Sequence, residues 1–383
     1  MLPFLDQDHP ALRARVHEWV GEKLFPARDQ NSALEQRAVQ FVKDLAAAGF
    51  LSYTVSQEFG GMRTAVQARD LCILREELAR GDALADTMFA MQALGSYPIA
   101  LAGTVAQKQS YLSRVTSGAV IAAFAMTEAE AGSDAAAMQT RALSRDHGFS
   151  ISGTKCFISN AGVADFYVVF ASTQAAEKAQ GISAFIVDAA NSGLIIKEKT
   201  ELLSPHPIGV VEFKNCLVKT DALLGQEGEG LQIAFATLDL LRCTVGAAAV
   251  GLGQRALDEA IQYSKTRRQF GRAIAEFQGI EFKLAEMATE LEAAKLLVYQ
   301  AAWAHDCADG EAKIKSSMAK FYATEAAQRI VDQALQIHGG NGLIAGSIME
   351  RLYRDVRALR IYEGTSEIQK VIIARQLLSR REA

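Results

Sequence analysis

The feature that most restricts the fold of this chain is a change of apolar spacing, which occurs twice along its 383 residues. Up to about Gly118 the apolar residues recur every three or four positions. Leu12, Val16 and Val20 do so within 11–20, and Leu71, Leu74 and Leu78 within 67–80, with Gly81 beyond. Further helices are predicted over 38–48, stopped by Gly49, and over 107–112. From Val120 the texture becomes β-rich, at 149–153, 166–170, 182–187 and 210–213, with Gly and Asn between the runs. Strands that succeed one another without helices predict an antiparallel sandwich or barrel, not βαβ units. After the glycine-rich stretch 225–230, read as a linker, the helical spacing returns. Leu284, Met287, Leu291, Ala294, Val298 and Ala301 then share one apolar face, as bundle helices require. The expected fold is mainly α with a central β domain. It divides into an N-terminal helical domain (1–119), a middle antiparallel β sandwich or barrel (120–224) and a C-terminal four-helix bundle (225–383).

Composition narrows the function by exclusion. The net charge is −4, without a large single-sign block, so no electrostatic footprint for nucleic acid is present. Arg380-Arg381 reads as a solvated chain end. The five cysteines, Cys72, Cys156, Cys216, Cys243 and Cys307, show no CxxC spacing, which suits a reducing compartment. Met1 to Asp6 lacks a basic region followed by an apolar run. A cytoplasmic protein without membrane insertion is expected. The six histidines have no metal-ligand spacing, so no metal is expected. Nucleotide loops of the GxGxxG and GxxxxGK[ST] types and a GxSxG elbow are absent.

The remaining local signals are ambiguous one at a time. Ala131-Gly132-Ser133-Asp134 has the composition of a turn, and Gly339-Gly340-Asn341-Gly342 that of a loop between helices. Ser366 and Gln369 form a capping-box pattern ahead of Ile368, Val371 and Ile372, so a helix should start near Ser366. Glu363 then lies on the approach loop beside Gly364. A carboxylate there suits a helix N-terminus, and equally a general base flanked by Ile361 and Tyr362.

Taken in order, these pieces have a family likeness. The run Phe124-Ala125-Met126-Thr127-Glu128-Ala129-Glu130-Ala131-Gly132-Ser133-Asp134 closely resembles the flavin-binding signature of the acyl-CoA dehydrogenase family. Gly153-Thr154-Lys155-Cys156-Phe157-Ile158-Ser159-Asn160, Arg267-Arg268-Gln269-Phe270-Gly271 with Phe277-Gln278, Gln336-Ile337-His338-Gly339-Gly340 and 361–369 follow in family order. The likeness spans essentially the whole chain, and it implies FAD as cofactor. By position, Phe124, Met126, Thr127, Phe157, Ile158 and Ser159 should line the flavin, with Ser159 near N5. Arg267, Gln269, Phe270, Gln278, Gln336, Ile337, Gly339 and Gly340 resemble segments that grip the rest of FAD from a neighbouring subunit. The resemblance therefore implies a homo-oligomer, a dimer or tetramer. Thr365 and Glu367 match the adenosine end. Ser133, Asp239, Arg242 and Gly364 match positions that touch the thioester, although Arg242 alone would also read as a helix-surface ion pair.

Glu363 matches the family's catalytic glutamate. In some branches the base sits just before the arginine aligned with Arg242; that position is Leu241 here, which cannot accept a proton. The implied chemistry is α,β-dehydrogenation of an acyl-CoA. Glu363 takes the α-proton while the β-hydrogen leaves as hydride to N5, and electrons pass to an electron-transfer flavoprotein. A carrier-tethered acyl or aminoacyl substrate is the alternative, and a catalytically silent flavin-binding protein a remoter one. Ser204-Pro205-His206-Pro207 departs from the family pattern, removes two backbone donors and brings a titratable ring. Met88, Phe89, Met91 and Leu94 ahead of Gly95 suggest a narrow pocket for a short, branched or cyclic acyl group.

Overall fold

The computed structural model describes residues 3–25, 33–174 and 181–379. Arg380 and Arg381 lie outside them. Five helices come first: α1 (His9–Lys23), α2 (Leu34–Ala47), α3 (Ala68–Gly81), α4 (Ala83–Ala102) and α5 (Val105–Thr116). Eight strands follow: β1 (Ala122–Ala125), β2 (Arg141–Arg145), β3 (Gly148–Ser159), β4 (Phe166–Ser172), β5 (Ile182–Asp188), β6 (Leu194–Lys199), β7 (Ile208–Lys219) and β8 (Leu223–Leu224). The chain then returns to helix with α6 (Gly230–Thr266), a tiny hairpin β9 (Arg268–Gln269) and β10 (Arg272–Ala273), and α7 (Gln278–Asp306), α8 (Ala312–His338), α9 (Ile348–Ala358) and α10 (Ser366–Ser379). The helical–β–helical order is thus the observed one. α6 is long and apolar enough to cross a bilayer by length and composition, but 78% of that apolar window is buried, as for a core helix.

By packing, the described chain forms two compact units: Met1–Arg28, Gln67–Asp86 and Asp239–Ala383 in one, and Asp29–Val66 and Thr87–Leu238 in the other. The first, the bundle unit, is built on α7 and α8. Lys283 bonds Gln333 and Arg329 bonds Glu290, which fixes these helices antiparallel. α3 packs on α1 and α7. It is buried along nearly its whole length, charged residues included, because each charge meets a partner. Arg13 bridges Glu76 and Glu77, Tyr299 donates to Glu76 at 2.5 Å, and Arg69 bonds Asp306 at 2.7 Å.

The second, the sheet unit, carries one sheet in the order β6-β7-β3-β2-β4-β5-β8, with β1 added alongside β4. Most pairings are antiparallel as expected. β1 and β2 meet β4 in parallel, which makes the sheet mixed, since the β2–β3 hairpin intervenes before the chain re-enters as β4. β4 is buried throughout. α4 docks on the edge of β1: Gln92 Nε2 donates to the Val120 carbonyl at 2.9 Å, and its Oε1 accepts from Ala122 N–H at 2.8 Å. Gly95 explains itself here, because a Cβ on it would lie 2.6 Å from the Ala122 Cβ. The close helix–strand approach needs that glycine whatever the acyl pocket holds.

Candidate active site

In the bundle unit, Glu363 sits between α9 and α10 on a loop with little freedom. Its φ is +52° and that of Gly364 is +89°, conformations that cost a side-chain-bearing residue about 1–2 kcal/mol and persist only where surroundings enforce them. Enforcement is visible. The Tyr362 N–H donates back to Ala358, the Ser366 N–H to Arg360, and the Gly364 carbonyl accepts from both Lys320 Nζ (2.7 Å) and Gln369 Nε2 (3.0 Å). Thr365, not Ser366, caps α10: its hydroxyl accepts from Ile368 N–H at 3.3 Å. The Ser366 hydroxyl instead donates to Glu325 at 2.7 Å, beside the Arg360–Glu325 ion pair, so the expected capping box does not form.

The Glu363 Oε2 is buried without a hydrogen-bond partner. Burial raises its pKa above the ordinary carboxylate range, while the charges of Arg75, Lys320 and Arg242 oppose the rise. The family resemblance points to only one of these cations, Arg242. Arg75 on α3 is fully enclosed. Its Nε and one terminal nitrogen grip the two oxygens of Asp86 at 2.8 and 2.9 Å, and the other reaches Thr244 at 3.0 Å. Lys320 is wholly buried, and burial lowers its pKa to about 8 although Glu363 pulls the other way. The sequence carried one trace of both: an Arg inside Leu71-Cys72-Ile73-Leu74-Arg75 and a Lys inside Ser317-Met318-Ala319-Lys320-Phe321, each where an apolar helix face should run. Arg242 is 5% exposed and bonds Asp239 one turn back at 2.5 Å, so it is not a surface pair, and its Nε is left without a partner.

The other expected residues of this unit gather elsewhere. The Tyr263 ring stacks on His338 at 4.3 Å and its hydroxyl accepts from Asn341 at 2.9 Å. This draws Gln336, Gly339 and Gly340 to the end of α6, where Arg267, Gln269 and Phe270 begin the small hairpin and Gln278 starts α7. All seven are exposed, and Arg267 has no side-chain partner among the described residues. Ile337 is the exception, its side chain turned into the core. Lys320, which holds the Glu363 loop, lies sixteen residues before Gln336, about 24 Å along α8. Thr365 and Glu367 stay with Glu363 and do not join this cluster.

In the sheet unit, the flavin-signature residues converge on one corner. β3 bulges against β7 between Lys155 and Ile158. The bulge puts Phe157 at φ +54° with its ring 59% exposed. The Cys156 N–H donates to the Thr127 carbonyl at 2.9 Å, and the Lys155 ammonium donates to the Met126 carbonyl at 2.9 Å and to Glu128 at 2.8 Å. Phe124, on β1, packs its ring on Phe170. Ser159 Oγ lies 3.0 Å from His206 Nε2. Ile158 is buried and offers no side chain at the surface, whereas Ser133 is exposed. An exposed aromatic ring on a strained bulge beside a hydroxyl suits a planar heteroaromatic ring, and an unpaired arginine beside bare glycine backbone suits phosphate. Taken each by itself, the sheet-unit corner fits a flavin ring and the bundle-unit cluster fits the phosphates of a dinucleotide.

Each of the two, the corner and the carboxylate, is a feature that suits a flavin-dependent oxidoreductase. The chain matches the family descriptions "Acyl-CoA dehydrogenase, N-terminal domain" over 6–119, "middle domain" over 123–216 and "C-terminal domain" over 228–378. It belongs to the acyl-CoA dehydrogenase family. It is 38% identical to a 3-(aryl)acrylate reductase of Clostridium sporogenes, covering 98% of this chain and 100% of that one. With the caffeyl-CoA reductase–Etf complex subunit CarC of Acetobacterium woodii it shares 38% identity over 89% of this chain and 90% of the relative. The butyryl-CoA dehydrogenase structure from Megasphaera elsdenii superimposes with a TM-score of 0.91 at 32% identity, covering 98% and 99% of the two chains. An acyl-CoA dehydrogenase complexed with FAD from Bacillus anthracis gives 0.89 at 30% identity, over 98% of this chain and 67% of that one. FAD is accordingly the cofactor.

Proposed function

We propose that this enzyme desaturates an acyl-CoA thioester between Cα and Cβ, with Glu363 as the base. The observation that carries the proposal is the Glu363 carboxylate, held on a left-handed loop with one buried oxygen unpaired. Bound FAD would supply the hydride acceptor. Glu363 takes the α-proton, and its raised pKa narrows the gap to a weakly acidic C–H. Its own N–H donates to no group among the described residues, which leaves it free for the thioester oxygen as negative charge develops there. Arg242 fits an orienting donor for the polar part of the substrate.

Phe157, Ser159, Met126, Thr127 and Phe124 would hold the flavin ring. The exposed cluster of Arg267, Gln269, Phe270, Gln278 and Gln336, remote from Glu363 along α8, suits a second copy of the chain, so the enzyme is a homo-oligomer in this reading. The exposed apolar Val371 and Leu378 of α10 fit the same conclusion. An electron-transfer flavoprotein is the electron partner, by analogy with the Etf-linked relative.

Both relatives described above carry reductase names, which favours a second reading: the same site run backwards, with Glu363 returning a proton to Cα of an enoyl thioester. Anaerobic mixing separates the directions. Saturated thioesters, on CoA and on carrier protein, should bleach oxidised FAD; enoyl thioesters should reoxidise the reduced enzyme. Unchanged rates in both directions after Glu363→Gln would refute the role of this residue.

A further inference from the structure

The loop that departs from the family pattern, Ser204-Pro205-His206-Pro207, ends beside the flavin corner. Ser159 and Ile208 are register partners in the β3–β7 ladder, and the Asn160 N–H donates to the Pro207 carbonyl at 2.7 Å. That register, with two prolines stiffening the approach, brings His206 Nε2 to 3.0 Å from Ser159 Oγ. The other ring nitrogen, Nδ1, lies 3.2 Å from the Ser204 carbonyl. A carbonyl oxygen only accepts, so Nδ1 carries the hydrogen. Burial lowers the His206 pKa and keeps the ring neutral, with a single N–H. Nε2 is then a bare acceptor. The hydroxyl of Ser159 must donate to it, and what remains on Ser159 Oγ is lone pairs alone.

We propose that His206 acts through Ser159 as a positioning residue that favours reduced over oxidised flavin. The inference rests on the reading that Ser159 meets flavin N5. Oxidised N5 carries a lone pair and is matched by a donor. A hydride arriving there brings both electrons and its hydrogen, and N5–H becomes a donor, matched by an acceptor. An ordinary serine can rotate to serve either state. Ser159, with its hydrogen committed to His206, serves the reduced state and sets lone pair against lone pair in the oxidised one.

The test is the midpoint potential of FAD in the intact enzyme, read by spectroelectrochemistry, with FAD content checked by absorbance. His206→Leu frees the hydroxyl to donate to oxidised N5, so preference for the reduced state should fall roughly tenfold, one hydrogen bond's worth, which is about 30 mV for a two-electron couple. His206→Gln, whose amide oxygen can accept from Ser159, should stay within a few-fold of the parent. Ser159→Ala gives a second, independent sign: it should also lower the preference for reduced flavin, whereas a serine donating to oxidised N5 would raise it on removal. In the Ser159→Ala background, His206→Leu should add nothing. An unchanged or raised potential in His206→Leu, a rise in Ser159→Ala, or a His206 effect that persists without Ser159 overturns the proposal. Should His206→Leu lose FAD, the sign for Ser159→Ala decides. A Ser159→Ala enzyme with parental potential and flavin spectrum would instead remove the contact with flavin on which the inference stands.

Discussion

Glu363-Gly364 and Phe270-Gly271 are both pairs of residues in the left-handed region, with φ of +52° and +89° in the first and +51° and +83° in the second. Their settings differ in almost every other respect. The Glu363 loop is tied to α8, α9 and α10 through Lys320, Ala358, Arg360 and Gln369, and the carboxylate it carries is partly enclosed. Phe270 stands at the tip of a two-residue hairpin, 93% exposed, with an edge contact to Phe277. A phenylalanine is a poor choice for such a primed turn. Strain of this kind persists where something else requires the geometry. For Glu363 the enforcement lies within the chain. For Phe270 no such enforcement is present among the described residues, and a second copy with its FAD is the proposed reason.

The comparison can be broken most directly at the carboxylate. Glu363→Gln should keep FAD and lower the rate of flavin reduction about 100- to 10,000-fold, the usual weight of a positioned base; stopped-flow absorbance reads it. Next come the two glycines. A Cβ on Gly364 would lie 2.6 Å from the Gln369 amide that clamps the loop, whereas a Cβ on Gly271 meets nothing within 4 Å. Gly364→Ala should therefore cost about 2–3 kcal/mol in unfolding free energy and Gly271→Ala about 1. Equal costs would mean that the clamp contributes nothing.

The pH profile sharpens the electrostatic side. Glu363 must be ionised to accept a proton, and burial raises its pKa, so flavin reduction should rise with pH along a limb displaced above the ordinary carboxylate range. Lys320→Met removes a charge that favours the ionised form, and the limb should move to still higher pH. A shift to lower pH would contradict the arrangement. The smallest effect on the fold is expected for Phe270→Ala, within about 0.5 kcal/mol for the single chain. Sedimentation and FAD retention should nonetheless report weaker assembly, and an unaltered oligomer that holds FAD as before would remove the proposed role of the hairpin.

The residue order alone determined much of this. The two changes of apolar spacing placed the helical and β segments, Gly49 and Gly81 marked helix ends, and the run before Ser366 isolated Glu363 as a loop carboxylate. These are signals written within one or two helical turns or one strand, the range over which periodicity and caps operate. What only the tertiary structure decided are pairings across long separations. Ser366 has the sequence pattern of a cap for α10, but Glu325, forty-one residues away, holds its hydroxyl and leaves the cap to Thr365. The enclosure of Arg75 with Asp86 and Thr244, the reach of Lys320 to Gly364, and the capture of Ser159 by His206 have the same character. No local spacing encodes which buried charge meets which partner, because desolvation is offset only by groups that packing brings together from distant parts of the chain.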